Sequence, residues 1–315
     1  MNIILHVEPG KIYTRKQFEK IAPRNSIAFD GIVAGPSFEN LEKNIFNFNH
    51  HDGVNRYATF SSCFQAIMAI RFKIYNCMRD EKGQITVHLF TNDCDQDCGL
   101  TYFALKNPHL VEAAMNPLIN KLAYCENMMD MSGGLYPFPQ DLEMLEIMAW
   151  IFEHYNIAVL NGDVDKKDPD VYRRILEDTE GRIHQYMNGN AKRISLDTGY
   201  TVCGGGKGWK MVEKYGTHAR AAFFVNGIES YVMVRPRHDG KWTYTIGKYS
   251  PYIPTFNLIE MYDLLNKLED NPDDKWGGGD TIGGSPRLGG SKFSPEELEC
   301  IINEYLQNKE IKKIG

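Results

Sequence analysis

Apolar runs and polar breaks alternate along the N-terminal part of the chain in a pattern that predicts strands and helices in turn. Residues 26–34, Ser-Ile-Ala-Phe-Asp-Gly-Ile-Val-Ala, predict a strand interrupted by Asp-Gly, with a turn at Gly35-Pro36. Residues 45–48, Ile-Phe-Asn-Phe, predict a short strand that ends at Asn49-His50-His51-Asp52-Gly53. Between 59 and 78, Phe64, Ile67, Met68, Ile70, Phe72 and Ile74 suit a largely buried helix. The strand Ile85-Thr86-Val87-His88-Leu89-Phe90 runs into an acidic loop, and a helical stretch follows from Gly99 to Leu105. Strand, polar loop, helix is the unit from which parallel α/β sheets are made. Further helices are predicted near 140–155 and 169–187.

The pattern changes after Asn188-Gly189-Asn190. Residues 191–249 hold short alternating segments, among them 221–225 and 231–235, and 240–248 reads as the second arm of a hairpin turning at Asp239-Gly240. Phe256 to Leu268 predicts a helix. A glycine-rich stretch, 277–290, precedes a C-terminal helix with Ser294 as N-cap, Pro295 at the first helical position and Glu297 completing a capping box. At 315 residues the chain exceeds one typical domain. The expectation is an α/β fold: a mainly parallel sheet flanked by helices over 1–188, and a second, smaller α+β domain over 189–315.

Composition narrows the function classes. Hydrophobic residues make up 43% and charged residues 24%, so a large core can form without disulfides. The net charge of -6 and the lack of a basic stripe argue against a dedicated binder of long duplex nucleic acid. A small anionic substrate stays open, because bound metal can supply positive charge locally. The seven cysteines form no CxxC pair and read as reduced thiols of a cytoplasmic protein. Neither a signal peptide nor an apolar run of about 18 residues is evident, so no membrane span is expected. Oligomeric state is not legible.

Five polar constellations could carry chemistry. Asp93, Asp95 and Asp97 follow a strand at every second position; their mutual repulsion would be relieved by a divalent cation, and carboxylates suit Mg²⁺ or Mn²⁺. An acidic surface loop is the bland alternative. His50-His51, between a strand and a polar turn, can ligate a metal or move a proton, although a solvated turn would carry them equally well. Asp30, set inside an apolar strand, must be paired, hydrogen-bonded or metal-bound. Asp130 precedes small residues in Asp130-Met131-Ser132-Gly133-Gly134; standing alone it would read as a loop aspartate. In the glycine stretch, Gly278, Gly279 and Gly284 allow amides to gather round an anion, and Arg287 can clamp a phosphate or carboxylate; a flexible linker is the alternative.

Together these segments resemble the DHH phosphoesterases, a family named for an Asp-His-His motif. Val87 to Leu105, with Asp93-Cys94-Asp95-Gln96-Asp97, is similar to the family's strand, D-x-D and helix. Asn49-His50-His51 is similar to the Asp-His-His motif, Asp30 falls where the second-motif aspartate is expected, and Asp130-Met131-Ser132-Gly133-Gly134 looks like the last metal motif. Two departures stand out: the D-x-D strand follows the histidine motif instead of preceding it, and Asn49 stands in place of the aspartate.

The resemblance implies a parallel α/β domain carrying Mn²⁺ or Mg²⁺ ions, with Asp30, His50, Asp95, Asp97 and Asp130 as ligands and Asp93 in reserve. Catalysis would fall to His50, His51, Asp95 and Asp97. Substrate would be held by His51 and by the glycine loop with Arg287. The expected activity is two-metal hydrolysis of a small phosphorylated or nucleotide-like substrate. The alternatives are a metal hydrolase of another bond type and a non-catalytic nucleotide or metabolite binder that lost an ion through Asn49.

Overall fold

The computed structural model describes residues 1–314. The chain forms two compact units: Met1–Met131 with Asp141–Leu196, and Ser132–Gln140 with Asp197–Gly315. The division is discontinuous and does not fall at residue 188. Helix Pro169–Met187 ends there, but the irregular segment that follows stays with the first unit as far as Leu196, and in it Ile194 N–H donates to Glu146 O.

In the first unit the elements run β1 Asn2–Val7, α1 Arg15–Ile21, β2 Ser26–Phe29, β3 Phe38–Asn40, β4 Ile45–Phe48, α2 Ser62–Arg71, β5 Thr86–Thr91, α3 Gln96–Lys106, α4 Pro108–Val111, α5 Pro117–Met131, α6 Glu143–Ile151, α7 Glu153–Leu160 and α8 Pro169–Met187. The sheet order is β1-β5-β2-β4-β3. β1 with β5, β5 with β2, and β2 with β4 pair in parallel; β3 closes the edge antiparallel to β4. Strands β2 and β4 are buried at every position, as expected of strands covered on both faces. Because β2, β4 and β5 run the same way, the polar segments that leave them all emerge at one end of the sheet.

Helix α3 is buried from Asp97 through Leu105. A Cβ on its Gly99 would come 2.8 Å from Thr179 Cγ2 of α8, so the two helices approach at a distance only glycine permits. The helix expected over 59–78 is shorter: α2 stops at Arg71, Lys73 takes a left-handed φ of 66°, and a 3-10 turn continues over Ile74–Met78. Likewise the helix near 140–155 breaks at Phe152 into α6 and α7.

The second unit contains β6 Tyr200–Gly206, β7 Trp209–Lys214, α9 Ala219–Phe223, β8 Ser230–Pro236, β9 Trp242–Lys248, α10 Leu258–Glu269, β10 Gly277–Gly278, β11 Ile282–Gly284 and α11 Pro295–Ile314. Its sheet order is β10-β11-β9-β8-β7-β6, antiparallel except for β7 with β8. Met211, Val232, Tyr244 and Ile246 pack with Leu258, Met261 and Leu265 of α10 and Leu298 and Ile302 of α11, which cover one face. Val212, Phe223 and Tyr231 gather with Leu135 on the other. The segment 221–225, expected to be extended, lies partly in α9: Ala219, Ala222 and Phe223 are buried at helical spacing while Val225 is exposed. The capping box of α11 forms, with Glu297 N–H donating to Ser294 Oγ at 3.2 Å and Ser294 N–H to Glu297 Oε2 at 2.8 Å. Among the described residues no helix is long and apolar enough to cross a membrane.

Candidate metal centre

Three segments leaving the sheet and one helix end bring acidic and imidazole groups together in the first unit. Asp30 follows β2 with φ 56°, and Gly31 beside it has φ 86°. That left-handed pair turns the Asp30 carboxylate onto His51, whose Nε2 lies 2.6 Å from Asp30 Oδ1. A Cβ on Gly31 would press on the His51 ring at 3.2 Å.

Asn49 fixes the two histidines. Its Oδ1 accepts from the backbone N–H of His50 at 2.9 Å and of His51 at 3.2 Å, while its Nδ2 donates to Val33 O at 3.2 Å and Gly35 O at 2.7 Å. An aspartate could not make the two donations, so an amide suits this fully buried position.

After β5, Asp95 is the N-cap of α3, accepting from Cys98 N–H at 3.0 Å. Asp97 reaches the start of α2, its two oxygens accepting from Ser62 N–H at 2.8 Å and Cys63 N–H at 2.7 Å. Asp93 turns toward the amide of Cys94 at 2.8 Å and lies outside the close groupings. Asp130 sits in the last turn of α5 and not in a loop; Pro117 opens a run with no clear apolar stripe, so the sequence pattern does not predict this helix.

His50 is the centre of the arrangement and is fully buried. Its Nε2 lies 2.7 Å from Asp130 Oδ2, 3.8 Å from Asp97 Oδ2 and 3.9 Å from Asp30 Oδ1. Yet both its ring nitrogens, and Asp130 Oδ2, lack an aligned hydrogen bond. His50 and Asp130 are therefore in close contact without an aligned hydrogen bond, and buried polar groups left so are costly. Three groupings have ligand atoms mutually within 4.8 Å: Asp30, His50 and His51; His50, Asp97 and Asp130; and Asp30, Asp95 and Cys98. The oxygen and imidazole donors fit a divalent cation of the Mn²⁺ or Mg²⁺ kind.

Burial and the crowding of like charges set the carboxyls apart from one another. Burial, then Asp130 and Asp30, push Asp97 up to about 6. Burial, then Asp30 and Asp93, raise Asp95 far above the carboxylate range. Burial acts upward on Asp130 too, but His50 and Arg56 outweigh it and hold this carboxyl well below its usual value.

Three residues escaped the sequence reading. Arg56 is buried and holds Asp130 through Nη2 to Oδ1 at 3.1 Å; nothing in its local sequence marks it. Glu126, one helical turn before Asp130, is buried with an unpartnered Oε2. It becomes visible only once Pro117–Met131 is known to be a helix. Cys98 lies in the first turn of α3, and its S–H donates to Asp30 Oδ2 at 3.1 Å.

The glycine segment is described within its own unit. Gly279 N–H donates to Ile282 O at 2.8 Å, and the amides of Leu288 and Gly289 point at Asp274 Oδ2, at 3.0 and 2.6 Å. Those two amides thus hold an anion belonging to the chain itself. Gly278 and Gly284 sit in the β10–β11 hairpin, where a Cβ would come 2.4 Å from Gly283 Cα and 2.7 Å from Tyr244 O respectively. Arg287 is exposed.

No protein-family model matches this chain, and no curated protein matches it.

Proposed function

We propose that the protein is a metal-dependent phosphoesterase acting on a small phosphorylated or nucleotide-like substrate. The observation that carries this reading is the fully buried His50, which has no aligned hydrogen bond at either ring nitrogen and whose Nε2 faces three carboxylates. His50, Asp97 and Asp130 would hold one ion, and Asp30 with Asp95 a second, Asp93 standing nearby. Divalent ions at such positions neutralise phosphoryl charge and supply a nucleophile at neutral pH.

The chain's own residues do the rest. Arg56 orients Asp130, and the α2 amides orient Asp97, so two donors are held before anything binds. His51, with 34% of its side chain exposed, is the imidazole that meets solvent. Held by Asp30, it is suited to contact the phosphate and carry a proton. The reading gives catalysis to a mainly parallel α/β domain and substrate selection to a smaller α+β domain, with Arg287 as the anion clamp near Gly278, Gly279 and Gly284. Seven free thiols favour a reducing cytoplasm. The sensor alternative, in which Asn49 costs an ion, draws no support from the contacts of the Asn49 side chain, which are all to backbone groups.

The test is a panel of phosphate monoesters, diesters, anhydrides and nucleotides incubated with the Mn²⁺-loaded chain. Phosphate release or nucleotide cleavage that vanishes in Asp95→Asn is expected. Retained metal with no turnover on any phosphorylated compound would sink the phosphoesterase reading; no retained metal would sink the centre itself.

A further inference from the structure

We propose that Cys98 is a thiolate ligand in this centre, completing the Asp30–Asp95 position and tuning it toward a borderline-soft ion such as Zn²⁺ or Co²⁺ over Mg²⁺. This rests on the metal-centre reading above. Cys98 is in the first turn of α3, is fully buried, and places Sγ 3.1 Å from Asp30 Oδ2. Its sulfur and the carboxylate oxygens of Asp30 and Asp95 lie within 4.8 Å of one another, the same span that joins His50, Asp97 and Asp130. With zinc–sulfur and zinc–oxygen bonds of about 2.3 and 2.1 Å, two donors on one tetrahedral ion stand roughly 3.5 Å apart. The sulfur and carboxylate are thus already near ligand spacing. Asp30 belongs to this grouping and to the one with His50 and His51, so it can join two positions.

The other buried thiols nearby do not share the arrangement. Cys63 Sγ is 3.2 Å from Ser61 Oγ much as Cys98 Sγ is 3.3 Å from Thr91 Oγ1, but among the described residues neither Cys63 nor Cys94 enters any such grouping. The independent sign that an ion belongs here is His50, fully buried, with no aligned hydrogen bond at either ring nitrogen and with Nε2 2.7 Å from Asp130 Oδ2 and 3.9 Å from Asp30 Oδ1. A hard ion such as Mg²⁺ takes oxygen donors and keeps its waters, whereas a thiolate selects Zn²⁺, Co²⁺ or Fe²⁺. On binding, the Cys98 S–H bond breaks, sulfur keeps the electron pair and gives it to the ion, and one proton leaves to solvent.

The experiment loads the whole chain with Co²⁺ under a thiol-free reductant. It records the near-ultraviolet spectrum beside cobalt content by elemental analysis. A thiolate-to-cobalt charge-transfer band is expected in the parent and in Cys63→Ser, and absent in Cys98→Ser and Cys98→Ala. Zinc affinity should fall at least about tenfold in both Cys98 variants, since even ligand-orienting groups are worth that much. Stoichiometric cobalt without the band in the parent overturns the thiolate and leaves the metal centre standing. A band that survives in Cys98→Ser also overturns it. Failure of the parent to retain any cobalt overturns both.

Discussion

His50 Nε2 and Asp130 Oδ2 stand 2.7 Å apart in the interior without an aligned hydrogen bond. An ion bound by both atoms would turn that contact into coordination. Arg56 keeps Asp130 in place from the other side. Arg56→Gln should therefore weaken Mn²⁺ binding roughly 10–100-fold without abolishing it, while His50→Ala abolishes it. Isothermal titration reads both. Equal affinity in Arg56→Gln and the parent would remove Arg56 from the centre.

Two aspartates of the acidic loop differ in structural duty. Asp95 caps α3 through one oxygen, and asparagine caps as well as aspartate. Asp95→Asn should lose metal and activity yet keep, or slightly raise, the melting temperature of the metal-free protein, because a crowded charge is removed. Asp97 holds two amides of α2, so Asp97→Ala should lower metal-free stability by about 1–2 kcal/mol as well as metal binding. Thermal unfolding with chelator present separates the two.

A second titrating pair lies away from the centre. His6 Nε2 and His88 Nδ1 are 3.0 Å apart across β1 and β5. Burial and then the neighbouring His88 lower His6, and burial lowers His88. Both folded values lie below the unfolded 6.5, so the unfolded chain binds more protons in that window. Stability should be full above pH 6.5 and fall as the solution is acidified through the folded values. His88→Gln should flatten this part of the urea midpoint's pH dependence. An unchanged slope would show that the pair is not what titrates.

Gly99 sets the distance between α3, which carries Asp95 and Asp97, and α8. Gly99→Ala should destabilise by about 1–3 kcal/mol through overpacking against Thr179. Thr179→Ser removes the offending methyl, so the double variant should recover most of the loss. Additive losses in a double-mutant cycle would contradict the contact.

In the proposed enzyme, Arg287→Ala should raise KM strongly with metal content at the parent level, and Arg287→Lys should restore little, since a point charge does not reproduce a planar fork. Parent kcat and KM in Arg287→Ala would leave the loop no part in binding.

The local pattern was enough for what depends on neighbours in sequence. Ile45–Phe48 and Thr86–Thr91 are strands because their apolar runs are short, and α8 and α11 begin where Asp168 with Pro169 and Ser294 with Pro295 cap them. Since strands leave their polar ends at a sheet edge, Asp30, His50 and the Asp95 loop were recognisable as candidates. Their meeting depends on something the pattern does not contain: β2, β4 and β5 being parallel neighbours in the order β5-β2-β4. Asp130 joins them only because α5 ends beside His50, and its amphipathic signal is too weak to read locally. Arg56 and Cys98 matter through distances of 3.1 Å to partners 74 and 68 residues away in sequence. Such contacts are set by chain packing, which brings together residues whose local sequence carries no sign of one another.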